Sequence, residues 1–301
     1  MDRTLDSAQG ELPERPDQMS DEASIAAFAR AEGFASPAVR RRAFGGEGLS
    51  AVQWGSASPR ALLLHGAGLS ARAWDRVLMR AAVPAIAVDL PGHGASRRLA
   101  AGEYTIAAMG GMIARAVRAE GLDIGLVVGH SLGSFVAGSA AVALGGLPSF
   151  LILDATPHRL GTTDPTRIHS GTLAELVEAM RQRMPHRTPD SLERAILRTT
   201  RARPDGTREW LWDEAFADAL DLRARERPQV WDDLAEAAGT TVLLRGGRGG
   251  VGAAEAAEVT ARVPGSQCIV VDGAGHNIHA DRPAVVAEWI GRLLHVERSS
   301  W

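Results

Sequence analysis

Residues 124–134 read IGLVVGHSLGS, an apolar run that leads directly into Gly129-His130-Ser131-Leu132-Gly133. The apolar run predicts a buried strand, and the apolar stretch from Leu132 onward predicts a helix. Side chains at positions 129 and 133 would collide with that strand and helix, so the two glycines indicate a tight, strained turn. Ser131 is therefore predicted to stand exposed at the carboxyl edge of a sheet, as a nucleophile.

The backbone around this serine is predicted to stabilise negative charge. A helix that begins at Leu132 directs its free N–H groups and the positive end of its dipole to the place where an oxyanion would form. The glycine-rich turn His65-Gly66-Ala67-Gly68 follows an earlier apolar strand and brings another backbone N–H toward the same place. The N–H groups of Ala67 and Leu132 are the predicted oxyanion hole.

A third glycine-bordered segment, Asp272-Gly273-Ala274-Gly275-His276-Asn277, follows an apolar run and precedes a predicted helix at Pro283. Active sites of open α/β sheets lie at the carboxyl ends of their strands, so His276 is the predicted base. His276 and His279 are an alternative metal pair, but no carboxylate or third histidine accompanies them at helical spacing. We expect no metal site.

Short apolar runs alternate with helical stretches from Val39 onward, which predicts a mostly parallel sheet with helices on both faces. The eight predicted strands are Val39 to Phe44, Leu49 to Trp54, Ala61 to Leu64, Ala85 to Asp89, Ile124 to Val128, Phe150 to Leu153, Thr241 to Leu244 and Gln267 to Val271. The predicted helices around them are Asp21 to Glu32, Ala71 to Arg80, Thr105 to Glu120, Leu132 to Leu144, Ala253 to Val263 and Pro283 to Val296. A glycine-rich turn between the first two strands predicts an antiparallel hairpin at one edge.

The alternation of apolar runs and helical stretches is interrupted between Ala155 and Ala238, where no apolar run resembles a buried strand. This segment is too long for an ordinary loop, so residues 155–238 are predicted to form a helical lid inserted after the sixth strand. Residues 21–154 and 239–301 then form the core, and the charged residues 1–20 form a disordered leader. The predicted lid helices are Leu173 to Arg183, Asp190 to Arg201 and Asp213 to Arg225.

Aromatic side chains of the insertion are candidates for the wall of a pocket. Trp210, Trp212 and Trp231 could line a pocket beneath the lid or pack the lid onto the core. We assign Trp210 and Trp212, together with His65, as candidate residues of a substrate pocket.

Four segments together resemble the α/β-hydrolase superfamily: HGAG at 65–68, DLPGHGAS at 89–96, GHSLGS at 129–134 and GAGHNIHADRP at 273–283. The resemblance implies the α/β-hydrolase fold and a lidded hydrolase of the esterase, lactonase and carbon–carbon hydrolase group. It also implies that Ser131 is the nucleophile and His276 the base. Similar proteins that open epoxides or displace halides carry Asp at the nucleophile position, so the serine disfavours those activities.

The acid of the expected triad departs from the family pattern. Many members carry an Asp after the strand that follows the lid, whereas here that segment reads LRGGRGGV at 244–251. A minority place the acid after the strand that follows the nucleophile helix, and Asp154 stands at such an end. We therefore predict that Asp154 orients His276. The alternatives are that Asp154 caps a turn, or that Asp232 or Asp233 is the acid.

Composition excludes several chemistries. The sequence contains no lysine, which removes Schiff-base, Ser-Lys and P-loop mechanisms, and its single cysteine excludes an internal disulfide. A formal net charge of −3 argues against a nucleic-acid partner. Residues 124–153 carry no charge, but glycines and Pro148 divide them into short elements, so we expect no membrane span. The single cysteine fits a reducing compartment, so a cytoplasmic protein is expected. No dinucleotide fingerprint is present, so no cofactor is expected.

These features predict a serine hydrolase that acts on a small-molecule ester, lactone or thioester. A carbon–carbon hydrolase or lyase could use the same residues, because the lining of the pocket decides the chemistry. A ligand receptor without turnover is a further alternative, motivated by the missing acid after the lid. Arg245 and Arg248 in that loop are compatible with a further alternative, an anionic substrate.

Overall fold

The computed structural model describes residues 20–160, 170–185 and 187–298. The strands in these ranges are β1 (Val39–Phe44), β2 (Leu49–Trp54), β3 (Ala61–Leu64), β4 (Ala85–Asp89), β5 (Leu126–His130), β6 (Leu147–Leu153), β7 (Thr200–Ala202), β8 (Arg208–Trp210), β9 (Ala238–Gly246) and β10 (Gln267–Val271). The predicted leader, residues 1–20, lies outside the described residues except for Ser20. The insertion is described apart from residues 161–169 and 186.

The helices alternate with the strands of the core and dominate the insertion. They are α1 (Asp21–Ala31), α2 (Asp75–Ala81), α3 (Ile106–Ala119), α4 (Leu132–Leu144), α5 (Leu173–Arg183), α6 (Pro189–Thr199), α7 (Glu214–Asp218), α8 (Leu220–Arg225), α9 (Arg227–Glu236), α10 (Ala253–Arg262), α11 (Ile278–Asp281) and α12 (Pro283–Arg298). Short 3₁₀ turns lie at Ala71–Trp74, Ala101–Glu103 and Pro157–Arg159.

Eight strands form one sheet in the order β1-β2-β4-β3-β5-β6-β9-β10. β1 and β2 pair antiparallel, as does β2 with β4, and the other neighbours pair in parallel. The predicted fold class, an eight-stranded and mostly parallel α/β sheet, is confirmed. The parallel order places the ends of β3, β5, β6, β9 and β10 at one carboxyl edge, where the loops with chemical groups meet.

Side chains alternate between two apolar layers because successive strand residues point to opposite faces. In β3, Leu62 and Leu64 belong to the layer covered by α3, α4 and α9. Ala61 and Leu63 belong to the opposite layer, covered by α1, α2 and α12. Burial on both faces explains why the central strands are almost continuously apolar in sequence.

Ion pairs between side chains, as well as apolar contacts, hold helix α1 against the core. Asp21 pairs with Arg41 of β1 and with Arg72, and Arg72 also binds the buried Asp75 at 2.8 Å. These arginines lower the pKa of Asp21 against the opposing effect of burial. The network holds α1 against the turn that begins α2.

Several predicted boundaries shift by a few residues. β5 runs from Leu126 to His130, because backbone pairing continues beyond the apolar run to the bridge between His130 and Leu153. β6 and β9 each begin three residues early, since Leu147 pairs with Ala238. The predicted helix at 71–80 begins as a 3₁₀ turn and becomes helical at Asp75.

The insertion contains more than the predicted helices. Helix α6 ends at Thr199, and β7 and β8 form an antiparallel hairpin around residues 203–207. This hairpin was not predicted, although Arg203-Pro204-Asp205-Gly206 is a sequence typical of a tight turn. The helix predicted at 213–225 divides at Ala219, where Arg223 Nη1 donates to the carbonyl of Phe216 at 2.9 Å. Helix α9 was not predicted.

Backbone hydrogen bonds join the insertion to the core beside the site. The N–H of Gly94 donates to the carbonyl of Leu211 at 2.7 Å, and the N–H of Asp213 donates to the carbonyl of Gly92 at 2.7 Å. Glu226 accepts from the first N–H groups of α3, at 2.6 Å from Ile106. Within the described ranges, no helix combines the length and apolar character needed to cross a bilayer.

Candidate active site

Ser131 lies at a strained junction between β5 and α4. Its φ of 50° and ψ of −121° belong to a region that side-chain-bearing residues rarely adopt. An added Cβ would lie 2.3 Å from Ser134 Cα at Gly129, and 2.2 Å from the carbonyl oxygen of Leu64 at Gly133. The collisions predicted from sequence are therefore present, and only glycine fits either position.

The turn 65–68 packs directly against this serine. An added Cβ at Gly66 would lie 3.2 Å from Ser131 Cβ, and Ala67 is exposed next to it. The backbone N–H groups of Ala67 and Leu132 have no acceptor among the described residues.

Two buried histidines brace that turn by exchanging hydrogen bonds with the loop after β4. His65 Nε2 accepts from the N–H of Leu90 at 3.0 Å, and His93 Nε2 accepts from the N–H of Gly68 at 3.1 Å. Their Nδ1 atoms donate to the carbonyls of Gly66 and Pro91. Burial lowers the pKa of His65 to about 4 and that of His93 to about 3, which keeps both rings neutral acceptors.

This arrangement separates His65 from the pocket role assigned to it in sequence. The ring is fully buried, and backbone groups occupy both nitrogens. His65 thus shapes the turn that carries Ala67 and offers no free polar atom to a ligand.

His276 and Asp154 meet across the carboxyl edge. His276 Nδ1 donates to Asp154 Oδ2 at 2.8 Å, with the His276 side chain 43% exposed and Asp154 fully buried. The bond places the imidazole proton on Nδ1 and leaves the Nε2 lone pair free to accept a proton. Of the carboxylates considered in sequence, Asp154 is the one that contacts His276. Asp233 instead accepts from Gln229 at 2.9 Å.

The loop after β9 binds the other acceptor positions of Asp154. The N–H of Gly246 donates to Oδ1 at 3.0 Å, and the N–H of Gly250 donates to Oδ2 at 2.8 Å. An added Cβ at Gly249 would lie only 2.3 Å from Asp154 Oδ1. The glycines that replace the usual acid thus make room for a carboxylate from the neighbouring strand and satisfy it with hydrogen bonds.

Two further buried histidines surround this group. His130 Nε2 donates to the carbonyl of His276 at 3.1 Å, and the His130 ring lies 4.8 Å from the His276 ring and 4.5 Å from the His279 ring. Burial holds the pKa of His130 well below its ordinary value and lowers that of His279 to about 3. The described residues contain no group of three or more His, Cys, Asp or Glu arranged to hold a metal ion.

The tryptophans of the insertion occupy different environments. Trp212 is half-buried and forms a backbone bridge to His93, and Trp210 is half-buried at the end of the β7–β8 hairpin. Trp231 is buried, with the guanidinium of Arg262 4.1 Å from its ring centre. Trp231 therefore packs the insertion onto the core, whereas Trp212 lies against the loop that braces the turn 65–68.

Arg245 and Arg248 hold the glycine loop in place. Arg245 Nε donates to the carbonyl of Val251, and Arg248 Nη2 donates to the carbonyl of Gly273, each at 2.6 Å. These bonds give the two arginines a structural role in a loop that carries no acidic residue.

The sheet order and the Ser131, His276 and Asp154 loops are those of an α/β hydrolase, and the model of the alpha/beta hydrolase family matches residues 61–289. The chain belongs to this family. Esterase Rv0045c of Mycobacterium tuberculosis is 30% identical to it over 264 residues, which cover 82% of this chain and 86% of that protein.

Solved structures agree with this membership. A crystal structure of the Mycobacterium tuberculosis esterase Rv0045c superposes with a TM-score of 0.80 at 28% identity, covering 92% of this chain and 99% of that one. The thioesterase domain from the curacin biosynthetic pathway superposes with a TM-score of 0.69 at 22% identity, covering 84% of this chain and 99% of that one, and shares the fold. The chain is an esterase-like α/β hydrolase.

Proposed function

We propose that this protein is a serine esterase that hydrolyses a small-molecule carboxylic ester, thioester or lactone through an acyl-enzyme. The observation that carries the proposal is the hydrogen bond from His276 Nδ1 to the buried Asp154. A carboxylate that holds the imidazole in this tautomer is the part of a triad that the loop after β9 lacks. Homology to an esterase over most of the chain supports the same reaction class.

The first step transfers the substrate's acyl group to the enzyme. Nε2 of His276 takes the proton of the Ser131 hydroxyl, and Oγ attacks the carbonyl carbon. The N–H groups of Ala67 and Leu132 stabilise the resulting oxyanion, and loss of one such donor typically costs about 3 kcal/mol of transition-state stabilisation. The intermediate collapses when His276 returns the proton to the leaving alcohol or thiol.

The second step releases the acid. Water takes the place of the leaving group, His276 Nε2 accepts its proton, and the hydroxide adds to the acyl carbonyl. Collapse of the second oxyanion breaks the bond to Ser131 and returns the proton to Oγ. In this proposal residues 155–238 act as the lid over the substrate, with Trp210 and Trp212 beside the bound molecule.

Labelling with a fluorophosphonate, followed by intact-mass analysis, tests the activated serine without knowledge of the substrate. We expect one adduct on the native chain and none on Ser131→Ala. Ser134→Ala is the matched control, because Ser134 is a fully buried serine one turn into the same helix. An adduct that survives Ser131→Ala, or a folded native chain that neither labels nor hydrolyses any of a panel of p-nitrophenyl esters, would overturn the proposal.

A further inference from the structure

A cavity of about 70 Å³ lies beside the candidate active site. Helix α6 of the insertion forms one wall, and Phe28 of α1 forms another. The remaining walls come from the residues after the turn 65–68 and from those after His276, including Ser70, Asn277 and His279. A cavity of this volume holds a few water molecules or one compact charged group.

Four arginines and no acid of the described chain line this cavity: Arg76, Arg187, Arg194 and Arg198. Arg194 and Arg198 are four residues apart on one face of α6, with Ser191 one turn before Arg194. Arg76 forms an ion pair with Glu32 at 3.1 Å. No described carboxylate forms an ion pair with any of the other three.

Arg187 and Arg198 contact neutral groups. Arg187 Nη2 donates to Ser191 Oγ at 2.7 Å, and the guanidinium of Arg198 lies 4.6 Å from the centre of the Phe28 ring. Two carboxylates nearby attract these arginines without forming an ion pair with them: Asp75, which binds Arg72, acts on Arg198. Asp281, which accepts from the N–H of Gly275 at 2.8 Å, acts on Arg187. Arginine stays charged in proteins, so the cavity is positively charged at any physiological pH.

Burial makes these charges costly. Burial lowers the pKa of Arg187 and of Arg198, and the positive charge of neighbouring arginines adds to the effect. The attraction of Asp281 and Asp75 does not cancel the effect of burial, because the pKa of each arginine is lowered on balance. Partly buried cations that form no direct ion pair are unfavourable unless an anion offsets them. An anion in the cavity would remove that penalty.

Unpartnered polar atoms at the cavity wall give an independent indication of a ligand. Ser70 Oγ, Arg76 Nε and His279 Nδ1 are buried and have no hydrogen-bond partner in the described chain. Ser70 is 3% and His279 is 4% exposed. Buried polar groups in folded proteins are nearly always satisfied, so three around one cavity indicate a polar occupant.

We propose that this cavity binds the carboxylate or phosphate group of an anionic substrate, with Arg187, Arg194 and Arg198 as its counter-ions. The inference rests on the proposed esterase function for the identity of the molecule, although binding of the anion does not require turnover. Asn277 follows His276 directly, and the His279 ring is 4.5 Å from the ring of His130, the residue before Ser131. The cavity thus adjoins residues next to His276 and Ser131 in sequence. In this proposal one small molecule presents its ester to Ser131 and its anionic end to the cavity.

Binding is tested first, independently of turnover, on Ser131→Ala. We expect glutarate or inorganic phosphate to raise its melting temperature in a saturable way, because a ligand of the native state stabilises it. The more effective anion identifies the source of the charge. Combining Ser131→Ala with Arg187→Gln or with Arg194→Gln should weaken the shift. Arg181→Gln on α5 is the matched control, because Arg181 is exposed and paired with Glu178 at 2.7 Å.

Turnover is tested with two esters of equal length, p-nitrophenyl hemiglutarate and p-nitrophenyl pentanoate. We expect Arg187→Gln and Arg194→Gln each to lower kcat/KM for the hemiglutarate about tenfold or more, mainly through KM. The pentanoate should change less than twofold in all variants. Arg194 is exposed on α6, so its replacement leaves the core intact and keeps the test valid if Arg187→Gln fails to fold.

The outcomes separate the two proposals. Anion binding that depends on these arginines, without hydrolysis of either ester, supports the cavity and contradicts the esterase. Hydrolysis of the pentanoate, with no anion-dependent shift and no effect of the arginine variants on the hemiglutarate, supports the esterase and overturns the anion site.

Discussion

The loops after β6 and β9 lie side by side at the carboxyl edge, and hydrogen bonds join them. One loop supplies the acceptor and the other supplies the donors. The loop after β6 carries the carboxylate of Asp154, and the loop after β9 carries the Gly246 and Gly250 N–H groups that bind it. Leu153, the last residue of β6, pairs with Leu244, and β9 continues two residues further to Gly246, beside Asp154. The carboxylate that contacts His276 therefore comes from the end of β6, while two of the hydrogen bonds that hold it come from the loop after β9.

The backbone of Asp154 is strained, and hydrogen bonds offset the strain. Asp154 takes a left-handed conformation with a φ of 46°, which is unfavourable for a residue with a side chain. Its N–H donates to the carbonyl of Leu244 at 2.8 Å, and its carboxylate receives three hydrogen bonds. Those bonds hold the strained residue in place, and this explains why glycines are needed opposite it.

Among the tests of these two loops, removal of the Asp154 charge should lower activity most. Asp154→Asn keeps the shape of the side chain but presents an amide to His276 Nδ1, which favours the wrong tautomer. We expect kcat for a p-nitrophenyl ester to fall by about ten thousandfold with little change in the circular dichroism spectrum. Asp272→Asn is the control, because Asp272 is exposed in the same loop as His276. Equal activity of Asp154→Asn and the native chain would assign the acid elsewhere.

The dependence of stability on pH tests the buried histidines around the site. The lowered pKa values of His65, His93 and His279, at about 4, 3 and 3, mean that the unfolded chain binds protons there first as the pH falls. Stability should thus fall as the pH drops below about 6.5, by about 2 kcal/mol for each of these histidines at pH 5.

Urea denaturation between pH 8 and pH 5 measures this loss. The paired acids Asp21 and Glu32 have lowered pKa values, so their contribution is lost only at lower pH and does not confuse the interval. His65→Gln, which keeps a hydrogen-bonding side chain but does not titrate, should reduce the pH dependence by about one proton. A free energy of unfolding that stays constant from pH 7.5 to pH 5 would show that burial does not lower the pKa of these histidines.

Local sequence predicted the parts of the site that depend on neighbouring residues. The turn at Ser131, the boundaries of α4 and the position of His276 follow from glycines and apolar runs within a few residues. The choice of Asp154 combined its place at a strand end with a resemblance to a family. Its contact with Gly246 and Gly250 joins residues more than ninety positions apart, which no local pattern indicates.

Features that depend on tertiary contacts were missed. The bracing of the turn 65–68 by His93 requires two loops to meet, and a histidine in a glycine-rich loop does not reveal its partner. The arginines of α6 look like an ordinary solvated helix face in sequence. Only the fold places α1, α6 and the loop after His276 around them.

Moving the acid from one loop to the other tests the comparison most sharply, with the smallest expected effect. Asp154→Gly suits the positive φ at that position and removes the carboxylate that would collide with a side chain at Gly249. Gly249 itself has no positive φ, so the Asp154→Gly, Gly249→Asp double variant places the Cβ of a new aspartate 2.3 Å from the former position of Asp154 Oδ1. We expect it to exceed Asp154→Gly in kcat by about tenfold. Gly249→Asp alone should be less active than the native chain, because its new carboxylate crowds and repels Asp154. If the double variant is no more active than Asp154→Gly, then His276 requires the hydrogen bonds of the glycine loop as well as a nearby negative charge.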